Sequence, residues 1–338
     1  MVGLLTKWGL KVMISPAQLL HLGVIFDLSH TSVGRLLVGN TEKRLHESID
    51  FVRAVSMAGT LSKKDSLVLR GRLGYCDAFI FGRIGKVALQ NITRHAYTKP
   101  FSSVADKQLL DSLSLLEDRL VSGIPRCIDL NIHRTFYLFT DASFDPKSGS
   151  GLGAVLFDDG GNLVEWFCFL SPVASLSSLL VDDRETVIGE LETIAVVLAM
   201  LIWGTITASS RLMLFIDNEG ARYSLIKGYS KSQAITNICV MAGVLLYGNF
   251  SLPWSGRVPS HSNIADYPSR LIAHPMLTSS KEHSRDSVVA KFEECLELLA
   301  SANSPHKIWV GAVAKAGGVI IPSSEKRFES DVCESLAV

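Results

Sequence analysis

The sequence predicts an α/β chain, with a mixed five-stranded sheet and flanking helices over residues 135–272, preceded by a mainly helical domain. Two observations carry this. Three apolar runs, FYLFTD, GLGAVLFD and LVEWFCFL, follow one another with turn residues between them. Two further runs, RLMLFID and one near 250–258, alternate with segments of helical character. Hairpin-linked strands followed by strand–helix alternation make a mixed sheet with helices packed on it.

Composition limits what the chain can be. Its 338 residues suggest about two domains. A hydrophobic share of 47%, a charged share of 20% and a mean hydropathy of +0.27 exclude a disordered chain. Basic and acidic residues balance at 33 each, so any nucleic-acid site must come from local charge. The longest strongly apolar stretch, Thr193–Thr207, has 15 residues and predicts a buried helix rather than a membrane span. Lys7 and Lys11 interrupt the N-terminal apolar residues, which argues against a signal peptide. Cys76, Cys127, Cys168, Cys239, Cys295 and Cys333 show no CxxC and no zinc spacing, as expected of reduced, intracellular thiols.

In chain order, residues 1–40 hold a strand over His21–Leu28 and then turn residues. Over 41–124 the pattern is helical. Thr41 is placed to cap a helix whose Leu45, Ile49 and Val52 recur at i, i+4, i+7. Thr60 or Ser62 caps the next, with Leu67, Leu69, Leu73, Phe79 and Phe81 as its apolar face, and a further amphipathic helix runs up to a break at Pro125. A domain boundary is expected within 124–134. In 135–272 the first turns fall at Pro146/Gly149/Gly151 and at Asp158/Gly160/Gly161/Asn162. A long helix is expected from about Asp183 to Trp203, helices near 218–227 and 231–247, and a short one from His261. Residues 273–338 read as an extension: a helix over Arg285–Ala300, a hairpin over 307–323 and a fraying end.

Four carboxylates stand in matching settings. Asp141 ends or interrupts the first strand of the sheet, Glu192 lies on the long helix, Asp217 follows RLMLFI, and Asp266 sits just inside the last short helix. Each acid alone is what a turn or a helix cap would show, and Asp217 before Asn218 suits a cap. The order β-Asp, α-Glu, β-Asp, α-Asp over one sheet points further. Strand ends side by side and a helix across them can gather the acids, and divalent cations offset the repulsion between them. Two such ions about 3.5–4 Å apart can activate a water and stabilise the leaving oxygen of a phosphodiester.

TDAS, GLGAVLF, ELETIAVVLAM, FIDNEGA and RVPSHSNIADYPSR, in that order, resemble the ribonuclease H domain of retroelement reverse transcriptases, in the version found in DIRS-like elements. The resemblance covers about 135–272. It implies a ribonuclease H-like sheet, with Asp141, Glu192, Asp217 and Asp266 as catalytic ligands of two Mg²⁺ ions, Mn²⁺ being an alternative. It also gives His261 a part in substrate or product handling, though a surface histidine without a role fits equally. Glu190 is the alternative second acid. Glu192 is preferred because the two cannot share a helix face.

LGVIFDL resembles the strand after the polymerase catalytic turn, near the primer grip, and GTLSKKDSLVLRGRLGYCDAFIFGRIGKVAL resembles the thumb of the same elements. This implies a remnant of palm strands over 1–40 and a thumb or connection domain over 41–124. The polymerase x-x-Asp-Asp turn is not found. Asp182-Asp183 precedes the long helix, Asp158-Asp159 sits in a hairpin turn, and the first 21 residues hold no acid. DNA synthesis is therefore not expected.

Residues 60–99 carry eight cations against two anions. Lys63, Lys64, Arg70, Arg72, Arg83 and Lys86, with Tyr75, Phe79 and Phe81 between them, either line a nucleic-acid duplex or form a solvated helix face. Asn218 is a further candidate contact. The expected function is metal-dependent cleavage of the RNA strand of an RNA–DNA hybrid, the partner being that hybrid or a primer–template duplex. The rival is an inactive nucleic-acid-binding relic of the same element. A separate polymerase chain is not specified by the sequence.

Overall fold

The computed structural model describes residues 2–5, 11–14, 17–131, 134–147, 149–171, 187–301 and 304–315. They fall into two compact units, the first holding the described residues up to Asn131 together with 313–315, the second those from Arg134 to Ala312.

In the first unit, strands β1 (Val2–Leu5), β2 (Lys11–Ile14), β3 (Gln18–His21), β4 (Val24–Asp27) and β5 (Arg35–Asn40) form an antiparallel meander. The strand expected over His21–Leu28 is instead the end of one strand, a turn and the whole of the next. His21 pairs with Val24 across Leu22 and Gly23, whose φ angles of 49° and 72° make the tight turn. Four helices follow: α1 (Glu42–Ala58), α2 (Lys63–Asp77), α3 (Gly85–Tyr97) and α4 (Lys107–Ser122). Their N-caps on α1, α2 and α4 are Thr41, Ser62 and Asp106, each accepting a backbone N–H of the first turn. Strand β6 (Arg126–Asp129) then returns to pair with β5. Residues 1–40 and 41–124, read separately from the sequence, therefore belong to one unit. Leu67 is 40% exposed, off the apolar face expected of it, and Phe79 and Phe81 lie beyond the end of α2.

The second unit holds the mixed five-stranded sheet. Strands β7 (Thr135–Asp145), β8 (Gly149–Phe157) and β9 (Leu163–Ser171) form an antiparallel meander. Helix α5 (Ile188–Trp203) leads to β10 (Arg211–Ile216), α6 (Glu219–Lys227), α7 (Gln233–Gly248) and β11 (Leu252–Arg257). The sheet order is β11-β10-β7-β8-β9, with β10 parallel to both neighbours. Leu191 and Ile194 through Ala199 of α5 are fully buried. Each Val, Ile or Leu so buried contributes about 1.5–3 kcal/mol. The part of the expected helix before Val187 lies outside the described residues.

The one-turn α8 (Asp266–Ser269) lies directly on β8. A Cβ on Gly151 would stand 1.8 Å from the Ser269 carbonyl oxygen, and one on Gly153 2.4 Å from the Ser269 nitrogen. Gly151 is thus not the turn residue expected of it but half of a glycine track inside a strand. Beyond α8, residues 278–283 run along β9: Trp166 Nε1 donates to the Thr278 carbonyl, and the His283 N–H to the Trp166 carbonyl. Helix α9 (Arg285–Ser301) buries Val288, Phe292 and Cys295 at i, i+4, i+7, with Phe292 against Phe169 of β9. The hairpin expected over 307–323 is contradicted where it is described, because Pro305–Lys315 is helix α10, with Trp309 against Tyr247. The apolar residues Ile308 and Trp309 serve a helix face as readily as a strand. Residues 316–338 lie outside the described ones. No described helix is long and apolar enough to cross a membrane.

Candidate functional site

Asp141 stands inside β7, paired with Gly153, rather than at a strand end. It is nevertheless open to a neighbour, because β10 pairs with β7 only up to Phe215↔Phe139. Beyond that point β10 ends at Ile216, and Asp217 projects where the two strands part. Helix α5 packs on β7 and brings Glu192 to the same place. One ligand oxygen from each of Asp141, Glu192 and Asp217 lies within 4.8 Å of the other two.

The other contested acid goes elsewhere. Glu190, 3% exposed, accepts a hydrogen bond from Ser232 Oγ at 2.8 Å, at the N-cap of α7. Helical residues two positions apart lie about 200° apart around the axis, which separates the two glutamates. Asp266 opens α8 beside the cluster but is outside the 4.8 Å group; Arg270 Nε donates to its Oδ1 at 2.6 Å.

The three acids are in a strained electrostatic state. At about 5 Å and an effective dielectric of about 20, each ionised pair repels by roughly 3–4 kcal/mol. Burial, then the charges of Asp141 and Asp217, push Glu192 up to about 9, against a hydrogen bond from the Ala142 N–H. Burial pushes Asp141 up to about 6. A hydrogen bond from Ser269 opposes this, and the charges of Asp217 and Asp266 add to it. Glu192 Oε2 and Asp217 Oδ1 are buried without a hydrogen-bond partner among the described residues. Buried unpaired carboxylate oxygens are costly. An all-oxygen set of this charge fits a hard divalent cation such as Mg²⁺.

His261 is exposed on a 3₁₀ turn, Ser260–Ser262, ahead of Asp266. Asn218 caps α6, its Oδ1 accepting the Ala221 N–H at 3.0 Å, so any contact to nucleic acid falls to its Nδ2. The cations of α2 do not form one stripe. At about 100° per residue, Lys63 and Arg70 lie within about 20° of each other, Lys64 about 100° away and Arg72 about 180° from Lys63. Lys63 Nζ stands 5.5 Å from the Tyr97 ring and Arg70 Nε 3.3 Å from Thr93 Oγ1, both on α3, whereas Arg72 lies over Phe51 of α1. Arg83 is exposed, and Lys86 is half-buried, its amine pushed down by burial and by the Arg83 charge. Of the aromatics between them, Phe81 is buried and Tyr75 packs edge-on against Phe79. At the start of α3 a Cβ on Gly85 would collide with the Asp77 carboxylate.

Two residues that support the cluster were not singled out in the sequence. Buried Asn263 donates from Nδ2 to the Thr140 carbonyl at 3.0 Å and accepts the Ala265 N–H, which ties the loop before α8 to β7. Buried Ser269 donates its hydroxyl to Asp141 Oδ2. Both are small, neutral and without periodicity, and the sequence marks them only as members of the RVPSHSNIADYPSR motif.

No protein-family model and no curated protein matches the chain. Among solved structures it is similar to RNase H1 from the halophilic archaeon Halobacterium salinarum, with 18% identity and a TM-score of 0.33 over 40% of this chain and 95% of that one. It is similar to LC11-RNase H1 in complex with an RNA/DNA hybrid, with 14% identity and a TM-score of 0.33 over 41% and 95% of the two chains. A third likeness is to the foamy viral protease–reverse transcriptase in complex with RNA/DNA hybrid, with 13% identity and a TM-score of 0.28 over 54% and 25%.

Proposed function

We propose that the second unit is a divalent-cation-dependent ribonuclease of the ribonuclease H type, cutting the RNA strand of RNA–DNA hybrids, and that the chain derives from a retroelement reverse transcriptase. The observation that carries the reading is the cluster of Asp141, Glu192 and Asp217, three acids from three elements gathered within 4.8 Å. Nothing in packing the sheet requires such a gathering, and two of its oxygens have no hydrogen bond among the described residues. The substrate and the origin rest on the five motifs from TDAS to ADYPSR.

In this reading Asp141, Glu192 and Asp217 hold the cations, with Asp266 at the rim. Bound there, two Mg²⁺ or Mn²⁺ ions supply an activated water and stabilise the charge of the leaving oxygen. The chain's own residues do the rest. Burial of Asp141 and Glu192 keeps bulk water from solvating the acids, which strengthens their hold on a cation. Arg270 offsets the charge of Asp266 at the rim. His261, exposed on the preceding loop, handles substrate or product. Lys63, Lys64, Arg70, Arg83 and Lys86 contact phosphates without reading sequence, Arg72 on the far flank of α2 contributes less, and Asn218 offers an amide donor beside Asp217. A hybrid is recognised through its groove shape and 2′-hydroxyls.

Incubating the purified chain with a labelled RNA–DNA hybrid and Mg²⁺ tests this. Cleavage of the RNA strand that stops on chelation and is absent from D217N supports it. Intact hybrid with wild-type protein at all Mg²⁺ and Mn²⁺ concentrations overturns it.

A further inference from the structure

Ser269 stands at the end of α8 with 1% of its surface exposed. Its backbone is fixed apart from its side chain. Ser143 Oγ donates to its carbonyl at 2.8 Å, and the Gly151 and Gly153 track lets that backbone lie on β8 closer than any side chain would allow. The hydroxyl reaches two acceptors, Asp141 Oδ2 and, at 3.0 Å, the Asp266 carbonyl. It has one hydrogen, and the carboxylate is the stronger acceptor.

Asp141 needs such a partner. Glu192 and Asp217 each bring an oxygen within 4.8 Å of one on Asp141, and repulsion between ionised carboxylates at that distance disfavours this orientation unless another group holds it. We infer that Ser269 is the positioning residue of the acid cluster: its buried hydroxyl holds the Asp141 carboxylate in its cation-binding orientation in advance of the cation. This rests on the reading of Asp141, Glu192 and Asp217 as a cation site. It adds a residue whose effect passes through Asp141, not through the substrate.

Titrating Mn²⁺ into the substrate-free full chain by calorimetry tests it, with S269A and S269C beside wild type. Groups that orient a metal ligand typically account for about 10–100-fold in affinity. S269A is expected to bind Mn²⁺ more weakly by a factor in that range. S269C, of similar size with a weaker donor, should fall between S269A and wild type. In hybrid cleavage at fixed low Mn²⁺, kcat should fall while KM for the hybrid stays, and raising Mn²⁺ should restore kcat. A merely structural serine would not give a loss that cation alone reverses. S269A with wild-type Mn²⁺ affinity overturns the inference; where S269A does not fold, S269C with wild-type affinity does so. Wild-type protein that binds no Mn²⁺ overturns the cation site and this inference together, whereas equal binding by wild type and variant overturns the inference alone.

Discussion

Glu190 and Glu192, two residues apart on one buried helix, end on different partners. Glu192 joins Asp141 and Asp217, while Glu190 accepts the Ser232 hydroxyl at 2.8 Å. E192Q should therefore reduce hybrid cleavage by at least about 100-fold, as loss of a transition-state contact of about 3 kcal/mol would. E190Q should leave kcat within a few fold and lower the thermal midpoint, since an amide keeps only part of the Ser232 hydrogen bond. Single-turnover cleavage by the two variants checks this, and the reverse ranking would reassign the second acid.

Asp217 separates binding from turnover. D217N keeps the shape of the side chain and removes one of the three clustered carboxylates. It should abolish cleavage, weaken Mg²⁺ binding and leave the circular dichroism spectrum unchanged. Cleavage at the wild-type rate would remove Asp217 from the site.

The acid cluster makes stability depend on pH in a set direction. Glu192 ordinarily titrates at 4.5 and is held up to about 9, and Asp141 moves from 3.8 to about 6. Between pH 4 and 9 the folded protein thus binds more protons than the unfolded chain, so rising pH lowers its stability in the absence of metal. Thermal melts in EDTA should show the midpoint falling from pH 5 to pH 8.5. Added Mg²⁺ should raise the midpoint more at pH 8.5 than at pH 5, because the cation competes with those protons. A cation effect independent of pH would count against the cluster as its site.

The basic residues of α2 should divide into two classes. Lys63 and Arg70 share one flank, so K63A/R70A should weaken duplex binding and lower its log–log salt slope. On B-DNA each lost phosphate contact is worth about 0.9 in slope. Arg72 lies over Phe51 on the opposite flank, and R72A should change the slope less. Equal effects from both flanks, measured by fluorescence anisotropy across a salt series, would mean that the ligand wraps the helix.

Arg119 holds the first unit together. It is 1% exposed and pairs with Asp77, its Nε 2.8 Å from Oδ1, and Nη2 faces the carbonyls of Phe81 and Gly82. R119M leaves Asp77 largely buried without its cation, which should destabilise the unit by about 3–5 kcal/mol. Urea denaturation checks this, and the double variant R119M/D77L should recover part of the loss. Unchanged denaturation of R119M would show that the pair is not structural.

The sequence by itself determined the elements and the candidate acids. Thr41, Ser62 and Asp106 are caps whose side chains act on their own first turns, and Leu45, Ile49 and Val52 recur with the period of one helix. Such signals are local, so neighbours in sequence suffice to read them. Asp141 and Asp217 could be picked out because each follows an apolar run, where a carboxylate is unfavourable without compensation. Tertiary structure decided the rest. That β10 stops short of Asp141, that α8 lies on Gly151 and Gly153, and that Ser269 meets Asp141 are facts about residues as many as 128 positions apart. The turn at Leu22-Gly23 broke one predicted strand into a hairpin, since an apolar run does not show where backbone φ turns positive. Ile308 and Trp309 became a helix face because Trp309 packs on Tyr247, a contact that no local period encodes. Local propensity selects among a few conformations for each segment, and long-range burial and electrostatic pairing then choose one and decide which side chains meet.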